Sequence, residues 1–206
     1  MSDLPGSRWQ PGEPLSDAPE RWAVAQSRIE YDGGFIAVRT DTVIGPDAHF
    51  DRTVVEHKDA VGVLAMDDDD RVLLLAQYRH AVGHRLLELP AGLCDVDDEP
   101  PLETAARELV EEASVAAGSW SLLLEMFPSP GFCDERWWVY LARDLSSAEA
   151  TDFVREHEEA DMQAIWVPLD EAVRAVHQRR ITDALAVAAI LAVAPPSDRE
   201  LRTAGS

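Results

Sequence analysis

Residues 99–112 have the sequence EPPLETAARELVEE and decide the fold. Apolar residues recur from Leu102 onward at positions i, i+3, i+4, i+7 and i+8, a spacing typical of a helix that buries one stripe. Pro100 and Pro101 suit the start of such a helix, where a missing N–H costs little. The pattern predicts a helix over residues 101–115.

The opposite side of this helix carries Arg107, Glu108, Glu111 and Glu112. At about 100° per residue the three glutamates fall within roughly a 100° arc. Carboxylates so close repel one another, and a hard cation such as Mg²⁺ or Mn²⁺ would turn that repulsion into coordination. A solvated acidic face is the alternative interpretation of the same spacing.

The surrounding residues favour the metal site. Upstream stands the sequence ELPAG, residues 88–92, and Glu99 precedes Arg107 by eight positions. Together these residues resemble the signature of the Nudix family, G-x5-E-x7-R-E-U-x-E-E-x-G-U, where U is a bulky aliphatic residue. Two departures stand out: six residues separate Gly92 from Glu99, and Ser114 replaces the second glycine. The extra residue falls in a loop, and Ser114 leaves the exit from the helix uncertain.

The resemblance implies an α+β protein with a Nudix-type α/β/α sandwich around a mixed β-sheet, over residues 27–194. It also implies that divalent ions are held by the carboxylates of Glu108, Glu111 and Glu112 and by the backbone carbonyl of Ala91. Arg107 orients these carboxylates, and Glu111 is additionally a candidate for catalysis.

Two further segments resemble the ADP-ribose pyrophosphatase subgroup of this family. The sequence SPGFCDE occupies residues 129–135, and QYRH occupies residues 77–80. An arginine beside an acidic site is a plausible bidentate partner for a diphosphate, although a surface arginine that packs its stem is an equal alternative. The implied substrate-binding residues are Arg79, Glu88, Gly131 and Glu135.

The resemblance also places a general base on a loop between the last strands, where residues 156–161 read EHEEAD. Glu158 is the first candidate and Glu159 the second, with His157 as a weaker alternative. The adenine is expected to stack on an aromatic side chain, for which Trp22, Tyr31 and Phe35 are candidates, and a second subunit often contributes to this contact. A homodimer follows from the resemblance.

The rest of the sequence predicts short strands and two more helices. The predicted strands are residues 34–42, 52–57, 60–66, 71–77, 121–126, 136–142 and 163–167, and the helices are residues 169–179 and 182–193. The four aspartates at 67–70 are interpreted as a hairpin tip. Residues 1–26 are expected to form an N-terminal arm, residues 27–57 to hold strands that contact a second subunit, and residues 195–206 to form a flexible tail.

The formal charge of −21 opposes binding to nucleic acid, which requires clustered Lys and Arg. No apolar run is long enough to cross a bilayer, and the acidic start lacks the order of a signal peptide, so a cytoplasmic protein is expected. Cys94 and Cys133 are expected to be reduced thiols.

The predicted reaction is the metal-dependent hydrolysis of ADP-ribose to AMP and ribose 5-phosphate. Another nucleoside-diphosphate sugar or a dinucleotide is the alternative substrate, and a non-catalytic ADP-ribose sensor the distant one.

Overall fold

A computed structural model describes residues 5–6, 8–148 and 161–195. Within these residues the chain forms ten strands and three helices. In order they are β1 (Val24–Asp32), β2 (Ala37–Ile44), β3 (His49–Glu56), β4 (Ala60–Ala65), β5 (Arg71–Arg79), β6 (His84–Glu88), β7 (Ala91–Leu93), α1 (Pro101–Ala113), β8 (Val115–Met126), β9 (Trp137–Ser147), β10 (Gln163–Pro168), α2 (Leu169–His177) and α3 (Ala184–Val193).

Two sheets form the centre of the molecule. One has the order β7-β4-β9-β8, in which β4 and β9 run parallel and the other neighbours antiparallel. The other has the order β10-β5-β6 and is antiparallel throughout. The mixed sheet expected from the sequence is confirmed.

Strand β4 is buried on both faces, and this defines the layers. Its side chains alternate between the faces. Val61 and Val63 pack with Ala105 and Leu109 of α1 in one core cluster. Leu64 packs in a second cluster that includes the buried side chains of α2 and α3. The helices therefore cover opposite sides of the strands, as an α/β/α sandwich requires. None of the helices in the described segments is long and apolar enough to cross a membrane.

The sheet β1-β2-β3 stands apart from this core. Every residue of β1 is exposed, and no buried apolar side chain among the described residues comes before Ala60. Strand β3 reaches the central domain through a parallel bridge between Val55 and Cys133. The strands predicted at residues 34–42 and 52–57 correspond to β2 and β3, but β1 was not predicted, because it has no buried apolar face to mark it.

Helix α1 ends at Ala113, two residues before its predicted end. Ser114 adopts a left-handed conformation, with φ 53° and ψ 39°, and its N–H bonds to the carbonyls of Leu109 and Val110. Val115 then begins β8. Ser114 thus makes the backbone turn that glycine makes in the Nudix signature.

The aspartates at 67–70 join β4 to β5, as predicted. Asp67 Oδ1 accepts hydrogen bonds from the backbone N–H groups of Asp69 and Arg71, at 3.0 and 2.8 Å. Asp67 Oδ2 accepts from Arg71 Nε at 2.8 Å. Turn formation accounts for this run of acids.

Candidate active site

A cleft of about 590 Å³ lies between the amino-terminal half of the chain and the acidic face of α1. It brings together residues that are far apart in the sequence. Those predicted from the sequence are Phe35, Arg79, Ala91, Arg107, Glu108, Glu111, Glu112 and Glu135, and the lining also includes His57, Gln77 and Trp137.

Arg107 is the centre of an ion-pair network on α1. Its Nη1 lies 2.8 Å from Glu108 Oε1 and 3.2 Å from Glu111 Oε2. Its Nε and Nη2 donate to the two carboxylate oxygens of Glu99, at 3.2 and 3.1 Å. A planar guanidinium holds several carboxylates at fixed positions in this way. Arg107 thus contacts two of the carboxylates that it is expected to orient, and the orienting role stays a prediction.

Thr104 anchors the network from within the core, and the sequence analysis did not single it out. It is fully buried, and its Oγ1 donates to Glu99 Oε2 at 2.8 Å. Hydrogen bonds from Arg107 and Thr104 lower the pKa of Glu99. Glu99 therefore stays ionised and aims the guanidinium of Arg107. Thr104 lies one turn before Arg107 on the buried side of α1. This position was the only feature of the sequence that could have identified Thr104 as part of the network.

Of the carboxylates in the cleft, Glu108 has the most clearly shifted pKa. Burial, together with the neighbouring charge of Glu111, raises its pKa to about 7 against the opposing effect of Arg107. A buried carboxylate in this state requires a proton or a cation. Glu108 is thus suited to bind a divalent ion at neutral pH.

Glu112 links the helix to β7. Its side chain is almost fully buried, and its Oε2 accepts a hydrogen bond from the backbone N–H of Ala91 at 2.8 Å. Ala91 is opposite Gly62 of β4. On either side of it, the carbonyl of Pro90 accepts from the N–H of Val63 in β4, and the N–H of Cys94 donates to Asp59 O just before β4. Antiparallel alternation turns the backbone groups of Ala91 away from β4. The carbonyl of Ala91 therefore points away from β4, off the edge of the sheet. A metal ligand needs a carbonyl that is not engaged within the sheet.

The donor set fits a hard divalent cation. Three carboxylates and one backbone carbonyl supply oxygen ligands, which Mg²⁺ and Mn²⁺ prefer. Among the described residues, no three acidic, histidine or cysteine side chains already converge on one point. The ion pairs explain this, because Arg107 holds Glu108 and Glu111 while Ala91 holds Glu112. Coordination would require small rotations of side chains that are already adjacent.

Arg79 lines the cleft and forms a two-point ion pair with Glu88, which lines a smaller adjoining cavity and not the cleft. Arg79 Nε lies 3.0 Å from both carboxylate oxygens of Glu88, and Nη2 lies 2.6 Å from Oε2. These residues end β5 and β6, which pair with each other. Glu88 is almost fully buried, so the geometry gives it the role of holding Arg79. Nη1 of Arg79 lies outside this pair and can donate to a substrate.

The loop at residues 129–135 is attached to the end of β3. The N–H of Val55 donates to Phe132 O at 2.7 Å, and the N–H of His57 donates to Asp134 Oδ1 at 3.1 Å. His57 Nδ1 lies 3.1 Å from Glu135 Oε1. The same Nδ1 lies 2.8 Å from the carbonyl oxygen of Lys58. His57 and Glu135 are thus neighbours in the cleft, and this contact was not predicted because the two residues meet only through the tertiary fold.

Other predicted residues lie elsewhere. Gly131 lines a separate cavity with Arg39 and Arg52 on the other side of the same loop. Of the aromatic candidates, Phe35 lines the cleft and contacts His57 edge to face, with ring centroids 5.2 Å apart. Trp22 packs on Phe50 instead. Tyr31 is exposed and does not line the cleft. The candidate bases Glu158 and Glu159, and the alternative His157, lie outside the described residues.

The fold and the sequence both match known proteins. A crystal structure of an ADP compounds hydrolase superposes with a TM-score of 0.71, covering 93% of this chain and 99% of that one at 18% identity. This likeness concerns the fold alone.

Sequence comparison is more specific. The chain is 46% identical to an ADP-ribose pyrophosphatase of Mycobacterium tuberculosis, over 81% of this chain and 80% of that protein. It is 32% identical to an ADP-ribose pyrophosphatase of Bacillus subtilis, over 83% of this chain and 91% of that protein. The family model of the NUDIX domain matches residues 56–186, which include the whole acidic face of α1. The chain is therefore a member of the Nudix hydrolase family.

Proposed function

We propose that this enzyme hydrolyses the diphosphate of ADP-ribose, giving AMP and ribose 5-phosphate. The observation that carries the proposal is one cleft that joins the carboxylates of α1, Glu135 and Arg79, which is held by Glu88 from outside the cleft. A relative 46% identical over most of its length is an ADP-ribose pyrophosphatase, which supports this substrate.

The reaction adds water across one P–O–P linkage. The oxygen of water bonds to one phosphorus, the bridging oxygen leaves on the other phosphate, and the proton of water is taken up by a base. Glu108, Glu111, Glu112 and the Ala91 carbonyl would hold divalent ions. When bound, such ions neutralise the diphosphate and lower the pKa of a water molecule.

The side chains of the chain itself position the reactants. Arg107 pairs with both Glu108 and Glu111 through Nη1 and so holds the two carboxylates beside each other in the cleft. Arg79, fixed by Glu88, donates to a diphosphate oxygen and so orients the phosphorus. Glu135, which lies beside His57 in the cleft, accepts a hydrogen bond from a hydroxyl of the distal ribose. We assign the removal of the proton from water to Glu158 or Glu159, on the strength of the sequence resemblance.

The family generally requires a divalent metal, and we propose Mg²⁺ or Mn²⁺ for this enzyme. The ligands are oxygen atoms from carboxylates and a carbonyl, without sulfur or imidazole in the set. Mg²⁺ binds through one or two carboxylates and retains several waters, which suits a cleft open to solvent. Zn²⁺ and Cu²⁺ favour nitrogen and sulfur ligands. The location in the cytoplasm stays a prediction.

We also propose that the enzyme is a homodimer through the sheet β1-β2-β3. A three-stranded sheet gains stability by burying a face. Here Ile29 and Tyr31 of β1 are 55% and 56% exposed, and the sheet adds no apolar residue to the core. A second copy of this sheet is the partner that would bury such side chains. Sedimentation should give a dimer for the wild type and for Leu122→Glu on β8, and a monomer for Ile29→Glu.

Product analysis tests the proposed reaction. Purified enzyme is incubated with ADP-ribose, other nucleoside-diphosphate sugars and dinucleotides, with Mg²⁺ or Mn²⁺, and the products are separated by chromatography. We expect AMP and ribose 5-phosphate from ADP-ribose and no product when EDTA is present. Turnover only of another diphosphate would refute the substrate but keep the chemistry. Binding of ADP-ribose without turnover would refute hydrolysis and favour a sensor.

A further inference from the structure

A second, smaller cavity opens beside the cleft. Its volume is about 260 Å³, and it shares Arg79, Ala91, Glu135 and Trp137 with the cleft. These shared residues are the wall between the two spaces. The cavity therefore adjoins the cleft at Arg79 and Glu135, within reach of a group attached to a diphosphate that Arg79 binds.

The cavity has an apolar lining and a few polar groups. The apolar lining includes Val82, Leu86, Leu89, Met126 and Leu185. Among the described residues that line the cavity, the ionisable side chains besides the shared Arg79 and Glu135 are Glu88 and Asp183. Glu88 is already engaged by Arg79 at two points. Asp183 is thus the carboxylate in this cavity that the proposed mechanism does not use.

Asp183 is held in place by the start of α3. It is the residue before the helix, and its Oδ2 accepts a hydrogen bond from the backbone N–H of Ala186 at 2.7 Å. Burial raises the pKa of Asp183, the Ala186 N–H opposes that shift, and the charge of Glu88 adds to it. A hydroxyl group bound in the cavity would donate a hydrogen bond to this carboxylate and so offset the free-energy cost of burying its charge. The carboxylate is therefore fixed in position and suited to accept a hydrogen bond.

We propose that Asp183 determines specificity for the sugar on the distal phosphate, by accepting hydrogen bonds from its hydroxyl groups in this cavity. The inference rests on the proposed function, since it requires a diphosphate bound in the adjoining cleft. The chemistry of the cavity favours a sugar. Carboxylates accept from hydroxyl donors, the apolar lining contacts the C–H faces of the ring, and a cavity below about 300 Å³ is smaller than typical drug-sized pockets. The carboxylates would repel an additional phosphate group in the same space.

Two other roles for Asp183 give different experimental results. As a helix cap alone, it would affect stability and leave substrate choice unchanged. As a charge acting through Arg79, it would affect every diphosphate equally, because Arg79 faces the diphosphate whatever group is attached. A comparison of two substrates that differ only in the distal sugar separates these roles.

The experiment uses Asp183→Asn and Asp183→Ser, because Asn and Ser both cap helices well and should keep α3 in place. Asp170→Asn is the matched control, since Asp170 lies in the exposed first turn of α2 and away from the cleft. The two substrates are ADP-ribose and the β-methyl ester of ADP, which keeps the diphosphate diester and replaces the sugar with a methyl group. The values of kcat and KM are measured for each.

We expect both variants at position 183 to lower kcat/KM for ADP-ribose at least about tenfold, chiefly through KM, because a hydrogen bond to a charged group contributes about 1.5–3 kcal/mol. Their kcat/KM for the methyl ester should stay within twofold of the wild type. Equal losses on both substrates, or no loss on either, would overturn the inference. The wild-type rate on ADP-ribose tests the proposed function separately, since it does not depend on the variants.

Discussion

The α-carbon of Gly92 lies directly against the carboxyl group of Glu108. A β-carbon at position 92 would stand 2.1 Å from both Cδ and Oε1 of Glu108. Non-bonded carbon atoms are normally about 3.5–4.0 Å apart, so any larger residue at this position must displace Glu108. The glycine that precedes the acidic helix thus allows β7 to approach the most strongly perturbed carboxylate of the cleft.

Replacement of this glycine should abolish most of the activity. Gly92→Ala would push Glu108 away from its neighbours on α1, and a displacement of about 1 Å at a catalytic group can cost about 100-fold in rate. We expect a loss of that size in kcat for ADP-ribose. Gly118→Ala in β8 is the control, because its added β-carbon meets Asp144 Cβ at 3.3 Å, far from the cleft. A Gly92→Ala enzyme with half of the wild-type kcat would show that Glu108 has room to move.

Elements with a strong local pattern were predicted well from the sequence. Helix α1 was expected over residues 101–115 and spans Pro101–Ala113. Strand β4 was expected over residues 60–66 and spans Ala60–Ala65. It was predicted well because an unbroken apolar run is buried in the core. The acidic face of α1 was also predicted, since helical spacing alone brings Glu108, Glu111 and Glu112 together.

Contacts made by the tertiary fold were not predicted. His57 and Glu135 lie 78 positions apart, and only the docking of β3 on the loop at residues 129–135 brings them together. Strand β1 was not predicted because its residues have no buried face, and β6 and β7 were not predicted because they are short and separated by Pro90. Asp183 looked like an ordinary residue before a helix, and only the cavity that it lines distinguishes it.

Glu112→Gln should abolish metal-dependent turnover while the fold is retained. Glutamine keeps an oxygen that accepts from the Ala91 N–H, but it lacks the charge that a divalent ion requires. We expect kcat to fall at least about 100-fold, beyond the 10–100-fold typical of residues that support metal ligands indirectly. The melting temperature should change by less than about 3 °C. Glu103→Gln, an exposed position on the same helix, should match the wild type in both assays. Near-normal turnover of Glu112→Gln would remove Glu112 from the set of ligands.

Ser114→Gly should make the enzyme more stable. Ser114 holds a left-handed conformation with φ 53°, which costs a non-glycine residue about 1–2 kcal/mol. Glycine adopts this conformation freely, so we expect unfolding to require about 1 kcal/mol more, equivalent to roughly 2–4 °C in melting temperature. Turnover should be unchanged. Ser119→Gly, in the extended strand β8, should not stabilise the protein. A lower melting temperature for Ser114→Gly would mean that the serine side chain contributes more than the backbone costs.

The hairpin residue Asp67 should stabilise the fold in a pH-dependent manner. Burial raises its pKa, but hydrogen bonds from the backbone and side chain of Arg71 outweigh burial, so the pKa lies below its ordinary value of 3.8. A carboxylate with a depressed pKa in the folded state stabilises fully above its ordinary pKa, and this stability is lost as the pH falls through the folded value. Removal of the side chain in Asp67→Ala should cost about 1–2 kcal/mol at pH 7, because it breaks the hydrogen bonds that close the turn.

Urea unfolding of the wild type, Asp67→Ala and Asp68→Ala at pH 7, 5, 4 and 3 measures this contribution. Asp68 is exposed at the same hairpin tip, so its replacement controls for the change in net charge. The difference in unfolding free energy between the wild type and Asp67→Ala should be constant from pH 7 to pH 5 and shrink below pH 4, while Asp68→Ala stays close to the wild type throughout. A difference that grows as the pH falls would reverse the sign of the shift. Equal losses in the two variants would assign the stability to charge at the tip and not to the hydrogen bonds of Asp67.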